Sequence, residues 1–217
     1  VLVGAEALVR WKHPELGMVS PGIFVALFEK NGLIAEVDKY MWRCACEILA
    51  DWKKRGIDRF ISVNISPKDF YYMDVAEEIE SIVREFDIDP ARLRVEITET
   101  VLMTDLEHRI SILNQLKEAG FLIEMDDFGS GYSSLNLLKD MPVDILKIDM
   151  AFLRKTKNAE KARSILHNII HLTVDLGISS LTEGVETQAH CDFLKKIGCD
   201  KAQGYFFGKP MPLEETR

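Results

Sequence analysis

Polar residues recur in this sequence at the ends of short apolar runs. Glu6 follows VLVGA, Asn64 lies in SVNIS, and Glu96 and Glu99 lie in VEITET. Asp126 and Asp127 fall in EMDDFG, Lys147 in LKID, Glu183 and Glu186 in LTEGVE, and Gln203 in AQGY. A single charge at a strand end is ordinarily a solvated turn residue. A series of them is harder to dismiss. Carboxylates gathered in one pocket repel and could not all ionise without a cation. The donors are hard oxygens, with no His or Cys among them, which selects Mg²⁺ or Mn²⁺ over Zn²⁺. Two such ions about 4 Å apart form the usual clamp for in-line attack on a phosphodiester. Asp126 and Asp127 are adjacent, so on a regular strand they diverge; where the pleat breaks, one can bridge toward a second ion. Lys147 could orient the nucleophilic water, or act as a base if its pKa is depressed; the alternative is a structural ion pair. Arg10 suits a phosphate oxygen, its alternative being a surface salt bridge.

These groups need elements to carry them. Short runs rich in Val, Ile, Leu and Phe predict strands over Val3–Trp11, Phe60–Ile65, Leu93–Thr98, Leu122–Asp127, Ile145–Asp149, Ile178–Glu183 and Lys201–Phe206. On the first, the even spacing of Glu6 and Arg10 puts both on one face. Between the strands, apolar residues at helical spacing predict helices over Ala35–Arg55, Asp74–Phe86, Leu106–Ala119, Ala159–Leu176 and Gln188–Ile197. Gly56, Gly120, Gly177 and Gly198 supply C-terminal stops, and Thr187 an N-cap. Such alternation fits an open doubly wound sheet or a closed barrel. The polar strand ends favour the barrel, whose strand C-termini converge on the rim that holds active sites. The sequence thus places Glu6, Asn64, Glu96, Asp126, Asp127 and Glu183 around one pocket. A barrel needs eight strands and runs to about 250 residues. An eighth strand preceding Val1 would account both for the shortfall of this 217-residue sequence and for its abrupt start.

Composition narrows the class. With 47% hydrophobic and 29% charged residues, the chain is a folded domain and not a disordered one. No apolar run approaches the ~18 residues of a membrane span. A net charge of -8 argues against coating polymeric nucleic acid, though not against a small anionic ligand. Cys44, Cys46, Cys191 and Cys199 form no C-x-x-C pair and read as free thiols of a reducing cytoplasm. His167 and His171 have the spacing of a helical zinc pair, but Asn168 stands where the zincin motif has Glu. In DDFGSGYSSL, Gly129 and Gly131 give backbone freedom and Ser133 or Ser134 can cap a helix; the segment reads as a lid or as a plain turn.

The ordered set EALVRW, VNIS, EITET, DDFGSGYSSL, KID, EGVET and QGYFFGKPMP resembles the EAL domain, the cyclic di-GMP phosphodiesterase family, over nearly all of the chain. The resemblance implies a modified (β/α)8 TIM-like barrel whose first, antiparallel strand is absent here, residues 1–217 being a fragment of a longer chain. It implies hydrolysis of cyclic di-GMP to linear pGpG with two Mg²⁺ or Mn²⁺ ions. By similarity, Glu6, Asn64, Glu96, Asp126, Asp127 and Glu183 are metal ligands, with Asp126 the bridge. Lys147 matches a contact to the catalytic water, Arg10 a phosphate contact, and Gln203 a group near water and metals. Glu99 matches the carboxylate that holds the DDFG loop, and Glu186 the second acid of EGVE. Catalysis falls to Glu6, Asp127, Lys147 and Glu183. The family implies a homodimer, and a cytoplasmic domain that could be part of a membrane-anchored sensor. Thr182 stands where the family has Ala, and Ser130 where Thr is usual. A cyclic di-GMP receptor or regulatory module without hydrolysis is the rival reading; the filled ligand and lysine positions favour the enzyme.

Overall fold

A computed structural model describes residues 1–128, 138–139, 141–150 and 159–212. The chain divides into two compact units, Val1–Ile123 and Glu124–Arg217.

In the first unit the order is β1 (Gly4–Glu6), β2 (Trp11–His13), β3 (Gly17–Val19), α1 (Pro21–Asn31), α2 (Ile34–Lys54), β4 (Phe60–Asn64), α3 (Asp69–Tyr72) and α4 (Val75–Glu85). Then come a 3-10 turn at Pro90–Arg92, β5 (Leu93–Thr98), a second 3-10 segment at Glu99–Met103 and α5 (Leu106–Glu118). β4 lies between β1 and β5, parallel to both. Its Phe60, Ile61, Ser62 and Val63 are all buried, as is most of β5. That is the burial of strands covered on both faces, and it explains their unbroken apolar runs. Helix α2 buries Trp42, Ala45, Cys46, Leu49 and Trp52 at helical spacing. Asp74 caps α4 by accepting from the Glu77 amide at 3.0 Å.

The second unit contains β7 (Ile145–Asp149), α6 (Ala159–Asp175), β8 (Ser179–Glu183), α7 (Gln188–Lys196) and β9 (Lys201–Ala202), preceded by β6 (Ile123–Asp126). β6, β7, β8 and β9 pair in that order, all parallel. Thr187 caps α7 by accepting from the His190 amide at 3.2 Å, as its position in the sequence led us to expect.

The strand forecast fails at both ends of the chain. Of Val3–Trp11, Gly4–Glu6 forms β1 and Trp11 already begins β2 of the antiparallel β2–β3 hairpin, with Ala7–Arg10 outside any strand. Arg10 therefore lies outside β1, and the alternation that put it on one face with Glu6 does not reach it. At the other end the strand stops at Ala202, well short of Phe206. Gly204 has φ 149 and passes so close to Val185 that a Cβ there would sit 2.3 Å from the Val185 carbonyl oxygen. Strand and hairpin segments share an apolar, alternating composition, so the turn between them leaves no mark in periodicity.

The cysteines are free thiols among the described residues. Burial pushes the Cys46 thiol up to about 12, which makes it inert as a nucleophile. The rings of His167 and His171 pack edge to face with centroids 4.4 Å apart. Gly129, Ser130, Gly131, Ser133 and Ser134 of the expected lid lie outside the described residues.

Candidate active site

In the first unit three strands present oxygen donors on one sheet face. Glu6 ends β1 and pairs in register with Ser62; Asn64 ends β4 and pairs with Glu96. Because strand residues two apart share a face, Glu6, Ser62, Asn64 and Glu96 lie on the same side. Gly4 makes the approach of β1 possible: a Cβ there would fall 2.5 Å from the Phe60 ring. Asn64 is anchored through its backbone, its carbonyl accepting from the indole of the fully buried Trp42 at 3.0 Å. The Ile65 amide donates to the Glu96 carbonyl at 2.9 Å, extending the pairing past the strand end. Glu96 is buried, 1% exposed, and Glu99 opens the 3-10 segment that follows β5, also buried.

The Asn64 connection has its own scaffold. The Ser66 amide reaches the carboxyl groups of Asp69, at 2.8 Å, and Asp38, at 3.3 Å. Ser66 Oγ donates to Glu29 at 3.2 Å. Asp38 and Asp69 are both buried and hydrogen-bonded to each other. Desolvation, then the neighbouring Asp69 charge, raises Asp38 from 3.8 to about 9, so the pair keeps a proton through neutral pH.

In the second unit Asp126, Lys147, Asp149 and Glu183 share a face. Glu124 pairs with Ile145, which sets Asp126 beside Lys147, and Asp149 pairs with Glu183. Lys147 is 1% exposed, and its Nζ lies 2.7 Å from Glu183 Oε1 and 3.5 Å from Asp126 Oδ1. A buried ammonium is tolerated only with such partners. Asp127 has φ 57, and its amide donates to Asp126 Oδ1 at 2.8 Å. The pleat thus breaks where the adjacent pair required it to, in a left-handed conformation Asp accepts at modest cost. After β8, Gly184 (φ 69) turns the chain; a Cβ there would come within 3.2 Å of Asp149 Oδ1. The Gln203 amide donates to the Thr182 carbonyl at 2.9 Å, and the Val185 amide to the Gln203 carbonyl at 3.0 Å, so Gln203 is strapped to the end of β8. Thr182 is buried with Oγ1 3.2 Å from Cys199 Sγ, away from the polar face.

Not every expected group joins these clusters. Arg10 is exposed, and its guanidinium donates to the Val9 carbonyl at 2.9 Å. Glu186 is exposed, its amide donating to His190 Nδ1 at 3.3 Å. Asp149 was missed by sequence reasoning, although KID places it two residues after Lys147 at the strand end. The donors on each unit are oxygens, the type a hard divalent cation takes. Among the described residues, no group of three His, Cys, Asp or Glu side chains is gathered closely enough to hold an ion. The positive charge drawing Asp126 and Glu183 together is the Lys147 ammonium.

Parallel strands ending in carboxylates, with a buried lysine between two of them, belong to an α/β protein of the modified TIM-like barrel class. The EAL domain family model matches residues 1–210, and the chain belongs to that family. It is 37% identical over 215 residues to the bifunctional diguanylate cyclase/cyclic di-GMP phosphodiesterase MucR of Pseudomonas aeruginosa, covering 99% of this chain and 31% of MucR. It is 38% identical over 212 residues to the cyclic di-GMP phosphodiesterase PA2567 of the same organism, covering 98% of this chain and 36% of that protein. The chain thus spans about a third of the length of these curated relatives. A solved structure of the MucR phosphodiesterase in complex with c-di-GMP superposes with a TM-score of 0.91 at 37% identity, covering 98% of this chain and 86% of that one. No helix among the described residues is long and apolar enough to cross a membrane.

Proposed function

We propose that this domain is a cyclic di-GMP phosphodiesterase that hydrolyses one phosphodiester of the cyclic dinucleotide to give linear pGpG. The observation that carries the reading is the buried Lys147 held by Asp126 and Glu183 at the ends of adjoining parallel strands. Family membership and the complex of the MucR phosphodiesterase with c-di-GMP support cyclic di-GMP as the substrate. In this reading Glu6, Asn64 and Glu96 of the first unit, and Asp126, Asp127 and Glu183 of the second, would be the oxygen donors to two Mg²⁺ or Mn²⁺ ions. Such ions, when bound, acidify water and neutralise developing phosphate charge. Lys147 fixes the two carboxylates beside it and hydrogen-bonds the attacking water. Gln203, strapped to the end of β8, orients the same water from its side chain. Glu186 supports the turn after Glu183, and Arg10 meets a phosphate oxygen. Arg10 is exposed in this structure, so that contact forms only with substrate. The domain acts in the cytoplasm as a homodimer.

Incubation with cyclic di-GMP and Mg²⁺, followed by chromatography, tests the reading. Formation of pGpG supports it; binding without product would leave a receptor and sink the enzyme. Ca²⁺ in place of Mg²⁺ is expected to suppress product, because the larger ion holds ligands less tightly and acidifies water less.

A further inference from the structure

The first unit contains a buried cation that the proposed chemistry leaves unused. Arg109, on α5, is 2% exposed. Its Nη1 donates to the Val101 carbonyl, and its Nη2 lies 3.5 Å from the Pro67 carbonyl. Its Cζ lies 5.3 Å from the centroid of the Phe70 ring and 5.2 Å from that of Tyr71. Desolvating a guanidinium costs several kcal/mol, a cost an apolar side chain of similar volume would avoid. What the fork supplies in return is direction, since its donors are fixed in one plane and can hold two carbonyls at once.

The two carbonyls belong to two particular connections. Pro67 lies in the connection that follows Asn64 at the end of β4. Val101 lies in the 3-10 segment that follows Glu96 and includes Glu99. Asn64 and Glu96 are themselves in register. A second bridge joins the same regions: Tyr71 Oη and Thr104 Oγ1 are 3.0 Å apart. We infer that Arg109 is a positioning residue, clamping the connections after β4 and β5 so that the strand ends carrying Asn64 and Glu96 are fixed relative to one another. The inference rests on the proposed metal-dependent reading, and it assigns the clamp to a residue that touches neither metal nor substrate.

Arg109→Lys keeps the charge and the stem but loses the planar fork. The readouts are Mn²⁺ affinity by electron paramagnetic resonance without nucleotide, amide hydrogen exchange, thermal unfolding, and turnover at saturating metal. The expected result is a folded protein whose Mn²⁺ dissociation constant rises about tenfold, as for other groups that orient metal ligands. Exchange accelerates in both Ile65–Lys68 and Thr98–Met103, and turnover recovers in excess metal. A folded variant with wild-type Mn²⁺ affinity, or with unchanged exchange in the two segments, overturns the clamp. If Arg109→Lys does not fold, Tyr71→Phe carries the test, because it deletes only an exposed hydroxyl; a two- to threefold loss of affinity of about the same kind supports the clamp and no change overturns it. Wild-type protein that binds no Mn²⁺ refutes the metal-dependent reading instead, and the exchange data still decide whether Arg109 couples the two segments.

Discussion

Replacing Asp38 by Asn removes one half of the buried Asp38–Asp69 pair while keeping a side chain of the same shape. In the folded protein Asp38 is raised from 3.8 to about 9, by desolvation first and by the Asp69 charge next. Asp69 is raised to about 6, again mainly by burial, although Lys39 and the Ser66 amide pull it down. Glu29, facing the pair from α1, raises both. A carboxyl whose folded pKa is raised contributes stability that is fully present below its unfolded value. That stability is lost as pH rises toward the folded value. Between pH 5 and 8 the unfolded chain has released the Asp38 proton and the folded chain retains it. The unfolding free energy then falls by about 1.4 kcal/mol per pH unit, or about 4 kcal/mol over that interval. An amide binds no proton in either state, and its N–H can still donate to Asp69. Urea unfolding of the wild type and of Asp38→Asn at pH 5 and pH 8 measures the difference directly. We expect the variant to gain about 4 kcal/mol on the wild type between the two pH values, and to exceed it in stability at pH 8. A change in the mutational effect below about 1 kcal/mol across this range would mean that the pair holds no extra proton, and the argument would fail.

Lys147→Met should leave a folded protein and lower turnover by about 10²–10⁴, the range for losing a group that positions or moves a proton; turnover within threefold of wild type would remove Lys147 from the chemistry. Glu6→Ala should abolish pGpG formation without changing the circular dichroism spectrum, since Glu6 is the last, half-buried residue of β1. Gly204→Ala should destabilise by about 3 kcal/mol or more, because its Cβ would enter the space of the Val185 backbone, 2.3 Å from the carbonyl oxygen; a melting temperature unchanged from wild type would show that the β8–β9 connection moves aside freely. Thr182→Ala, which restores the usual family residue, should shift turnover less than twofold, since the hydroxyl faces Cys199 and not the polar face of β8.

What was legible in the sequence follows from what repeats there. Helix bounds fell within a residue or two for Ala35–Arg55, Leu106–Ala119 and Gln188–Ile197, because apolar spacing and a terminal Gly agree, joined in the last by the capping Thr187. The strand-end acids were legible because parallel strands are apolar until they stop, so the first polar residue marks the rim. Arg10 was misplaced because alternation says nothing about where a strand ends. Asp149 carries no separate signal in the sequence, because Lys147 two residues earlier already fills the polar position of that strand end. Arg109, Asp38 and Asp69 were illegible for a different reason. Each looks like an ordinary charged residue on an amphipathic helix, and only burial at 2%, 8% and 0% exposure separates them from solvated ones.

The same distinction bears on why Lys147 is a lysine. Two carboxylates at the ends of the strands that flank β7 repel, and burial strengthens that repulsion. An apolar residue at position 147 would leave Asp126 and Glu183 to separate, which weakens them as joint ligands for a cation. An arginine would bring a planar fork suited to gripping a carboxylate along two parallel bonds. The ammonium is a compact charge on a flexible stem, reaching Glu183 at 2.7 Å and Asp126 at 3.5 Å while the stem stays in the core. It can hold both carboxylates in place before any divalent ion arrives, yet turn one N–H toward water afterwards. Preorganisation and catalysis would then fall to one atom, so Lys147→Arg should impair Mn²⁺ binding and turnover together. Selective loss of turnover with wild-type Mn²⁺ affinity would instead confine Lys147 to the chemical step.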